Sequence, residues 1–109
     1  MINKVLLVGR ISDAPEVKQT PTGDNVCSFF LAVNRRYNNT NETDYILCEA
    51  WGSTAFFISR NIKQGDLLDI EGSVRIKKHR HEDKNIYEQV IRIDRVDISP
   101  NNSNREEHI

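Results

Sequence analysis

The chain alternates apolar and polar residues over long stretches, which is the pattern of β-strands with one buried face. In 66–79, the even positions from Leu68 to Ile76 are apolar or glycine, whereas the odd positions from Asp69 to His79 are polar or charged. Because successive side chains of a strand point to opposite faces, this pattern predicts one inner and one outer face. Five segments rich in Val, Ile, Phe and Tyr are predicted as strands: 3–11, 26–36, 44–52, 66–79 and 86–99.

One segment, 53–64, follows a helical period instead. Its apolar residues recur at helical spacing: Ala55, Ile58 and Ile62. Ser53 or Thr54 is placed to cap its start, and Gly65 to close its end. Three strands, a helix and two strands follow the order of the OB-fold. We therefore predict an all-β fold, a five-stranded OB-fold barrel with one short helix between strands 3 and 4.

Polar, turn-forming residues separate these segments. Those at 14–15 and 21–24 bracket one predicted loop, and 38–41 and 80–85 are predicted as two more. Pro100 ends the last apolar run, and few core-forming side chains follow it. We predict an OB-fold domain over 1–99 and a short, disordered C-terminal tail over 100–109.

A charged residue distinguishes the two faces of the third predicted strand. Glu49 would be costly in an apolar core, so the odd positions are predicted to face outward. Tyr45 and Trp51 then stand on this open face, about 20 Å apart along the strand. The even positions are predicted to face the core: Ile46, Cys48 and Ala50.

The last predicted strand changes parity along its length. Two apolar pairs occupy opposite faces: Ile91 with Ile93, and Val96 with Ile98. A β-bulge near 94–95 would turn both pairs toward the core. Gly72, in the preceding strand, is expected to mark a sharp bend of the barrel.

The charge of the chain is balanced overall and uneven locally. Lys and Arg number 15 against 16 Asp and Glu, a net charge of −1 at pH 7. The general basic character of many nucleic-acid-binding domains is therefore missing. Within 75–84, however, five basic residues are opposed only by Glu82 and Asp83: Arg75, Lys77, Lys78, Arg80 and Lys84. A solvated strand face is the ordinary alternative for such a run.

Proteins hold single-stranded nucleic acid through two kinds of side chain, aromatic rings and basic groups. Rings stack on bases, at about 1–3 kcal/mol per base, and cations follow the phosphates. Tyr45 and Trp51 lie on the predicted open face, Tyr37 follows Arg35 and Arg36, and 75–81 is basic. For Tyr45 and Trp51, the alternative to base stacking is that the rings simply pack over the surface of the barrel. The four phenylalanines are predicted mainly to fill the core: Phe29, Phe30, Phe56 and Phe57.

Enzymatic chemistry finds no support in the sequence. No GxSxG, P-loop, HExxH or CxxC motif occurs, so we predict a non-enzyme without cofactor or metal. Cys27 and Cys48 fall within apolar alternations and are predicted as small core residues. The N-terminal apolar stretch is too short for a secretory signal, which favours a cytoplasmic location.

Five motifs resemble the bacterial-type single-stranded-DNA-binding proteins, the SSB family. They are NKVLLVGRI at 3–11, PEVKQTPTG at 15–23, FFLAVNRRY at 29–37, TDYILCEAWG at 43–52 and QGDLLDIEGSVRIKK at 64–78. The resemblance implies an OB-fold that assembles as a homotetramer and binds single-stranded DNA without sequence specificity. It also implies a nucleoid-associated role in protecting or organising DNA during replication, recombination or repair.

The same resemblance implies roles for individual residues. The family's base-stacking positions fall on Tyr37, Tyr45 and Trp51, and His79 holds a fourth that is usually Trp or Tyr. Phosphate contacts carry over to seven basic residues: Lys4, Arg10, Arg35, Lys63, Arg75, Lys77 and Lys78.

The C-terminus departs from the family pattern. Typical members have a long linker and an acidic tip that docks onto replication and repair enzymes, whereas this sequence ends in EEHI at 106–109. We expect a short form, similar to accessory members from phages, mobile elements or competence systems, with weakened recruitment of replication or recombination proteins.

Two other interpretations stay open at this stage. A primosome-type OB-fold dimer that mainly contacts replication proteins would be expected to lack the aromatic set on the open face. A small OB-fold subunit that binds RNA or tRNA beside an enzyme is the other. The order and spacing of the motifs from Met1 to about Ser99 favour single-stranded DNA binding.

Overall fold

Strands account for most of the chain. The computed structural model describes residues 1–103, and within them six strands and one helix follow one another. Their bounds are β1 Val5–Ile11, β2 Glu16–Gln19, β3 Asn25–Tyr37, β4 Thr40–Trp51, α1 Gly52–Asn61, β5 Leu67–His81 and β6 Lys84–Ile98. The five predicted strands and the helix are all present, and β2 is an additional short strand.

Five of these strands close into a barrel. Neighbours in the sheet run in the order β1, β5, β6, β4 and β3, and β3 returns to β1 through Arg10 opposite Ala32 and Ile11 opposite Leu31. Only β4 and β6 pair in parallel among the described strands. Because α1 follows β4, it lies between the third and fourth strands of the barrel, and the predicted OB-fold is confirmed.

The segment between β1 and β3 was predicted as a loop, and this was wrong in part. β2 pairs with the N-terminal end of β3, where Glu16 lies opposite Ser28 and Gln19 opposite Asn25. All four residues of β2 are exposed. A strand this short, with Val17 as its one apolar residue, leaves almost no alternation by which the sequence could have indicated it.

The two long hairpins have tighter turns than predicted. β3 and β4 are joined by Asn38 and Asn39 alone, both at positive φ (47° and 63°), and β5 and β6 by Glu82 and Asp83 (48° and 65°). Two successive residues in the left-handed region are the mark of a type I′ turn, which continues the twist of the strands. The predicted loops at 38–41 and 80–85 are therefore two-residue turns, and both hairpins extend beyond the barrel.

The core consists of the inward residues of all five barrel strands and one side of α1. Its fully buried members include Phe29, Leu31, Ile58 and Leu68. Burying a side chain of this size stabilises the fold by about 1.5–3 kcal/mol. Helix α1 is held against the barrel through Ala55 and Ile58, which are both fully buried.

Cys27 and Cys48 are core residues, as predicted. Both are free and fully buried, on β3 and β4. Burial raises the pKa of the Cys27 thiol to about 11 and that of Cys48 to about 12. Both side chains are therefore neutral thiols near pH 7 and serve as small apolar packing units.

Three of the four phenylalanines lie outside the core, contrary to prediction. Phe29 is 2% exposed, whereas Phe30 is 43%, Phe56 56% and Phe57 40% exposed. Phe29 and Phe30 are neighbours on β3, so strand alternation turns one inward and the other outward. On α1, the guanidinium of Arg60 covers the Phe56 ring at 5.4 Å.

A β-bulge on β6 restores the inward parity of its second half, as predicted. Glu71 lies opposite Arg95 and Gly72 opposite Ile93, so Asp94 has no counterpart on β5. Both apolar pairs of β6 consequently face the core: Ile91 and Ile93, and Val96 and Ile98. A side chain at Gly72 would place its Cβ 2.2 Å from the Arg92 carbonyl oxygen, which explains why glycine stands at the bend.

The ends of α1 differ from the prediction. The helix begins at Gly52, and Trp51 precedes it without a side-chain capping bond, so neither Ser53 nor Thr54 is the cap. It ends at Asn61, where the Ile62 amide donates to the Ile58 carbonyl. Gly65 (φ 89°) lies in the following turn and donates its amide to the carbonyl of Ile11.

The residues just after β6 contact the barrel. The Asn102 side chain accepts a hydrogen bond from the Leu67 amide at 3.1 Å and donates one to the Asp66 carboxylate at 3.1 Å. These contacts involve the first part of the predicted tail, 100–109. The acidic and apolar residues at 106–109 lie outside the described residues.

Candidate nucleic-acid interface

The outer sides of β5, β6, β4 and β3 form one continuous surface. The strand register places Ser73 beside Arg92, Arg92 beside Glu49, and Glu49 beside Ser28. We call one group of outward residues on these four strands the candidate interface. Its members are Phe30, Tyr45, Glu49, Trp51, Arg75, Lys77, His79, Glu88 and Arg92.

The β3–β4 hairpin contributes three aromatic rings to this surface. Tyr45 is 65% exposed and lies opposite Ala32, and the half-buried Trp51 lies opposite Val26. Phe30, opposite Leu47, lies between them. The predicted positions of Tyr45 and Trp51 on the outer face are confirmed, and the structure adds Phe30 to them.

The indole of Trp51 is fixed from two directions. Its Nε1–H donates to Glu49 Oε1 at 2.7 Å, and the Arg92 guanidinium lies 4.8 Å from its ring centroid. A cation over an indole face is attracted by the ring's quadrupole. Trp51 is therefore held in one orientation before any ligand arrives, which lowers the entropy cost of stacking on a base.

Glu49 lies on the outer face, as its parity predicts, but it is buried rather than open. The residue is 3% exposed, and its carboxylate accepts a hydrogen bond from Lys77 Nζ at 2.6 Å, with Arg92 Nη2 at 3.6 Å. Burial raises the pKa of Glu49, but hydrogen bonds from Lys77 and Trp51 and the charges of Lys77 and Arg92 outweigh it, so the pKa lies below its ordinary value. The carboxyl is ionised at neutral pH.

The basic stretch divides between the two faces of β5. Alternation places Arg75, Lys77 and His79 on the candidate interface, with Lys78 and Arg80 on the opposite side of the hairpin. His79 Nε2 is 3.2 Å from Glu88 Oε1. The predicted row of basic or titratable side chains on one outer face is thus present.

Three of the predicted phosphate contacts are engaged elsewhere on the molecule. Lys4 pairs with Glu71, beside the exposed face of β1. Arg10 donates to the Gly65 carbonyl at 2.8 Å, and Arg35 Nε to Asp44 Oδ2 at 2.8 Å. These contacts do not test whether the three cations bind DNA, and their roles stay predictions.

Three further predicted residues lie outside the candidate interface. Tyr37 is 69% exposed at the end of β3, and alternation turns it to the opposite face of its hairpin from Tyr45. Lys78 is exposed on the β5–β6 hairpin. Lys63 is exposed after α1, where its amide donates to Asp66 Oδ2.

The sequence patterns did not indicate three residues of the candidate interface: Phe30, Glu88 and Arg92. Glu88 and Arg92 are charges in a strand whose alternation changes parity, and no local pattern connects Arg92 with Trp51. Phe30 was assigned to the core because it stands in an apolar run. Its even position on β3, opposite in parity to the buried Phe29 and Leu31, was the available signal.

Within 1–103, no group of three or more His, Cys, Asp or Glu side chains is arranged to hold a metal ion. No helix of this region combines the length and apolar character needed to cross a membrane.

An OB-fold barrel with aromatic rings and cations on one sheet face defines a class of protein that binds single-stranded nucleic acid. Comparison with known sequences narrows this class. The profile of the single-strand binding protein family matches residues 2–99. The chain belongs to this family.

Individual relatives agree with the family match. "Single-stranded DNA-binding protein 1" of Clostridium acetobutylicum is 41% identical over 88 residues, which cover 77% of this chain and 80% of the relative. "Single-stranded DNA-binding protein 1" of Synechocystis is 39% identical over 102 residues, 89% of this chain and 83% of the relative. "Single-stranded DNA-binding protein A" of Bacillus subtilis is 35% identical over 85 residues, 75% of this chain and 49% of the relative.

Proposed function

We propose that this protein binds single-stranded DNA without sequence specificity, without catalysis, and thereby protects or organises exposed strands during replication, recombination or repair. The observation that carries the proposal is the candidate interface, where three aromatic rings share one sheet face with Arg75, Lys77 and Arg92. Family membership and the printed names of the relatives support the same function.

Stacking supplies the binding that does not depend on sequence. Every base has a π-face, so a ring accepts any of the four bases, at about 1–3 kcal/mol per stack. We assign stacking to Tyr45, Trp51 and His79 on the candidate interface, and to Tyr37 on the opposite face of the β3–β4 hairpin. Phe30 lies between Tyr45 and Trp51 and extends the row of rings.

Cations around the rings hold the phosphates. Arg75 is exposed on the candidate interface, and we assign it the main phosphate contact. Six others are proposed to contact DNA along its path around the protein: Lys4, Arg10, Arg35, Lys63, Lys77 and Lys78. Neutralising phosphates releases counterions, so the affinity should fall as salt is added.

The binding function is tested by gel shift with oligo-dT, oligo-dA, oligo-rU and duplex DNA at low salt. We expect similar shifts with oligo-dT and oligo-dA and a much weaker shift with duplex DNA. A stronger shift with oligo-rU than with oligo-dT would favour the RNA-binding alternative. No shift with any single strand would exclude the proposal.

We also propose that the protein acts as a homo-oligomer, a tetramer as in the family it resembles, and in the cytoplasm on the nucleoid. Leu6 and Val8 on the outer face of β1 are 72% and 57% exposed, which is unusual for neighbouring apolar strand residues. Among the described residues, β1 pairs with β3 only at Arg10 and Ile11, so one edge of 5–9 lacks a strand partner. Unpaired edges with apolar faces favour association.

The oligomer is tested by light scattering on the full chain and on Leu6→Glu. We expect the mass of four chains for the unchanged protein and a smaller assembly for Leu6→Glu. Val17→Glu, at an exposed apolar position on β2, is the control and should keep the unchanged mass. A monomeric mass for the unchanged chain would contradict the tetramer but not the OB-fold.

A further inference from the structure

Glu49 is a buried negative charge in the middle of a surface proposed to hold a polyanion. Among the described residues, the buried carboxylates are Glu49 and Asp66. Asp66 lies at the turn before β5, where it accepts a hydrogen bond from the Lys63 amide. The Glu49 carboxylate, in contrast, has its polar contacts with three groups of the candidate interface: Lys77, Arg92 and Trp51.

We propose that Glu49 is an internal counter-ion that competes with DNA phosphates for Lys77 and Arg92, and so limits the part that these two cations play in binding. The proposal rests on the single-stranded DNA binding proposed above. It assigns Glu49 as a positioning residue that acts through its neighbours rather than through the DNA.

The geometry favours the carboxylate over an incoming phosphate at Lys77. Lys77 Nζ lies 2.6 Å from Glu49 Oε2, and the carboxyl side chain is 4% exposed. A phosphate that took Lys77 away would leave a buried carboxylate with one partner fewer, which is costly in a site shielded from water. Arg92 is held similarly, with Nη2 3.6 Å from Glu49 Oε1 and its guanidinium over Trp51.

Arg75 provides the internal comparison. It lies two residues before Lys77 on the same face of β5, and its side chain bonds to the Ser73 hydroxyl at 3.4 Å rather than to a carboxylate. Its charge is therefore available to a phosphate. Neutralising one phosphate of a single strand contributes about 0.7 to the slope of log affinity against log salt. Arg75 should contribute this amount, and Lys77 much less.

Glu49→Gln removes the charge and keeps the shape. The amide oxygen of Gln can still accept the Trp51 Nε1–H, so the indole keeps its partner. The change leaves the charges of Lys77 and Arg92 unneutralised on a surface where both are partly exposed, at 42% and 32%. Asp97→Asn is the matched control, because it removes one negative charge outside the candidate interface, near Arg95.

The first experiment measures oligo-dT affinity of the full-length chain at several salt concentrations. We expect Glu49→Gln to bind more tightly at low salt, with a slope steeper by about 0.7 for each released cation, up to about 1.4. Between about 50 mM and about 200 mM salt it then loses up to about sevenfold more affinity than the unchanged protein. Asp97→Asn should keep the unchanged slope. An unchanged slope in a folded Glu49→Gln protein would overturn the proposal.

The second experiment keeps Glu49 and compares Arg75→Gln with Lys77→Gln, so the proposal is testable even if Glu49→Gln does not fold. We expect Arg75→Gln to flatten the slope by about 0.7 and Lys77→Gln by less than half of that. Equal flattening by the two changes would show that Glu49 does not restrain Lys77 and would overturn the proposal. Failure of the unchanged chain to bind oligo-dT would instead refute the proposed function itself.

Discussion

The two hairpins that extend from the barrel have the same architecture and opposite chemistry. β3–β4 carries rings on the candidate interface, and β5–β6 carries charges. Among the described residues, the two hairpins pair through Cys48 with Ile91 and Glu49 with Arg92. Trp51 and Lys77 contact Glu49 at this junction. The difference separates two contributions to binding: stacking, which salt affects little, and phosphate contact, which salt weakens.

Removing the Trp51 ring should have the largest effect. We expect Trp51→Ala to weaken oligo-dT binding by about 5- to 150-fold at constant salt, since one stack contributes about 1–3 kcal/mol. Trp51→Phe keeps a ring but loses the hydrogen bond to Glu49, and should lose less affinity. Gel-shift titration measures both, and unchanged binding by Trp51→Ala would refute the role of the β3–β4 hairpin.

Acid should weaken the junction between the hairpins. The pKa of folded Glu49 lies below the ordinary 4.5, so its ionic contacts stabilise the protein fully above pH 4.5 and are lost as the pH falls through the folded pKa. We expect Glu49→Gln to be less stable by about 1–2 kcal/mol at pH 7, with the gap closing below pH 4.5.

Denaturant unfolding of both proteins across this pH range measures the gap. The pKa of Glu71 is also lowered, by a hydrogen bond from Lys4 and by the Lys4 charge. Glu71 is present in both the unchanged protein and Glu49→Gln, so its titration cancels in the difference between their stabilities, and that difference reports Glu49. A gap that stays constant down to pH 3 would contradict the ionic account of the junction.

Phe30 should contribute to DNA binding through its ring rather than to the packing of the core. We expect Phe30→Ala to weaken oligo-dT binding about fivefold, equivalent to about 1 kcal/mol, with no change in the salt slope. Phe56→Ala removes a comparably exposed ring from α1, outside the candidate interface, and should leave the affinity unchanged. Equal effects of the two changes would remove Phe30 from the interface.

Substitutions in the turns of the two hairpins should have the smallest effect, and that effect is on the stability of the fold. Asn38 suits the left-handed region well, whereas Glu82 does not. We therefore expect Glu82→Asn to stabilise the protein by about 0.5–1 kcal/mol and Asn38→Glu to destabilise it similarly. Thermal unfolding measures both, and a Glu82→Asn protein that unfolds earlier would contradict the turn assignment.

Local pattern was sufficient for much of the fold. The period-two alternation of 66–79 and the helical period of 53–64 predicted β5 and α1, and the change of parity near 94–95 predicted the bulge. These features depend on residues close in sequence. The type I′ turn at Asn38 and Asn39 was also readable, since two adjacent asparagines favour it, but the polar run around them indicated a longer loop.

The electrostatics of the site could not be predicted in this way. Glu49 was expected to be open because a lone buried carboxylate is costly. Its cost is offset by Lys77, 28 residues away, and by Arg92 from a parallel neighbour strand. Such partners depend on strand order and register, which alternation does not specify. The same strand pairing, rather than composition, brings Arg92 over Trp51.

Trp51 offers the most direct measurement of the central claim, because it is the one tryptophan of the sequence and stands where the two hairpins meet. A fluorescence titration of the full chain with oligo-dT, run beside the same titration with duplex DNA, reports stacking on that ring. We predict saturable quenching by oligo-dT and far weaker quenching by the duplex. Unchanged Trp51 emission at oligo-dT concentrations that saturate the gel shift would contradict the account.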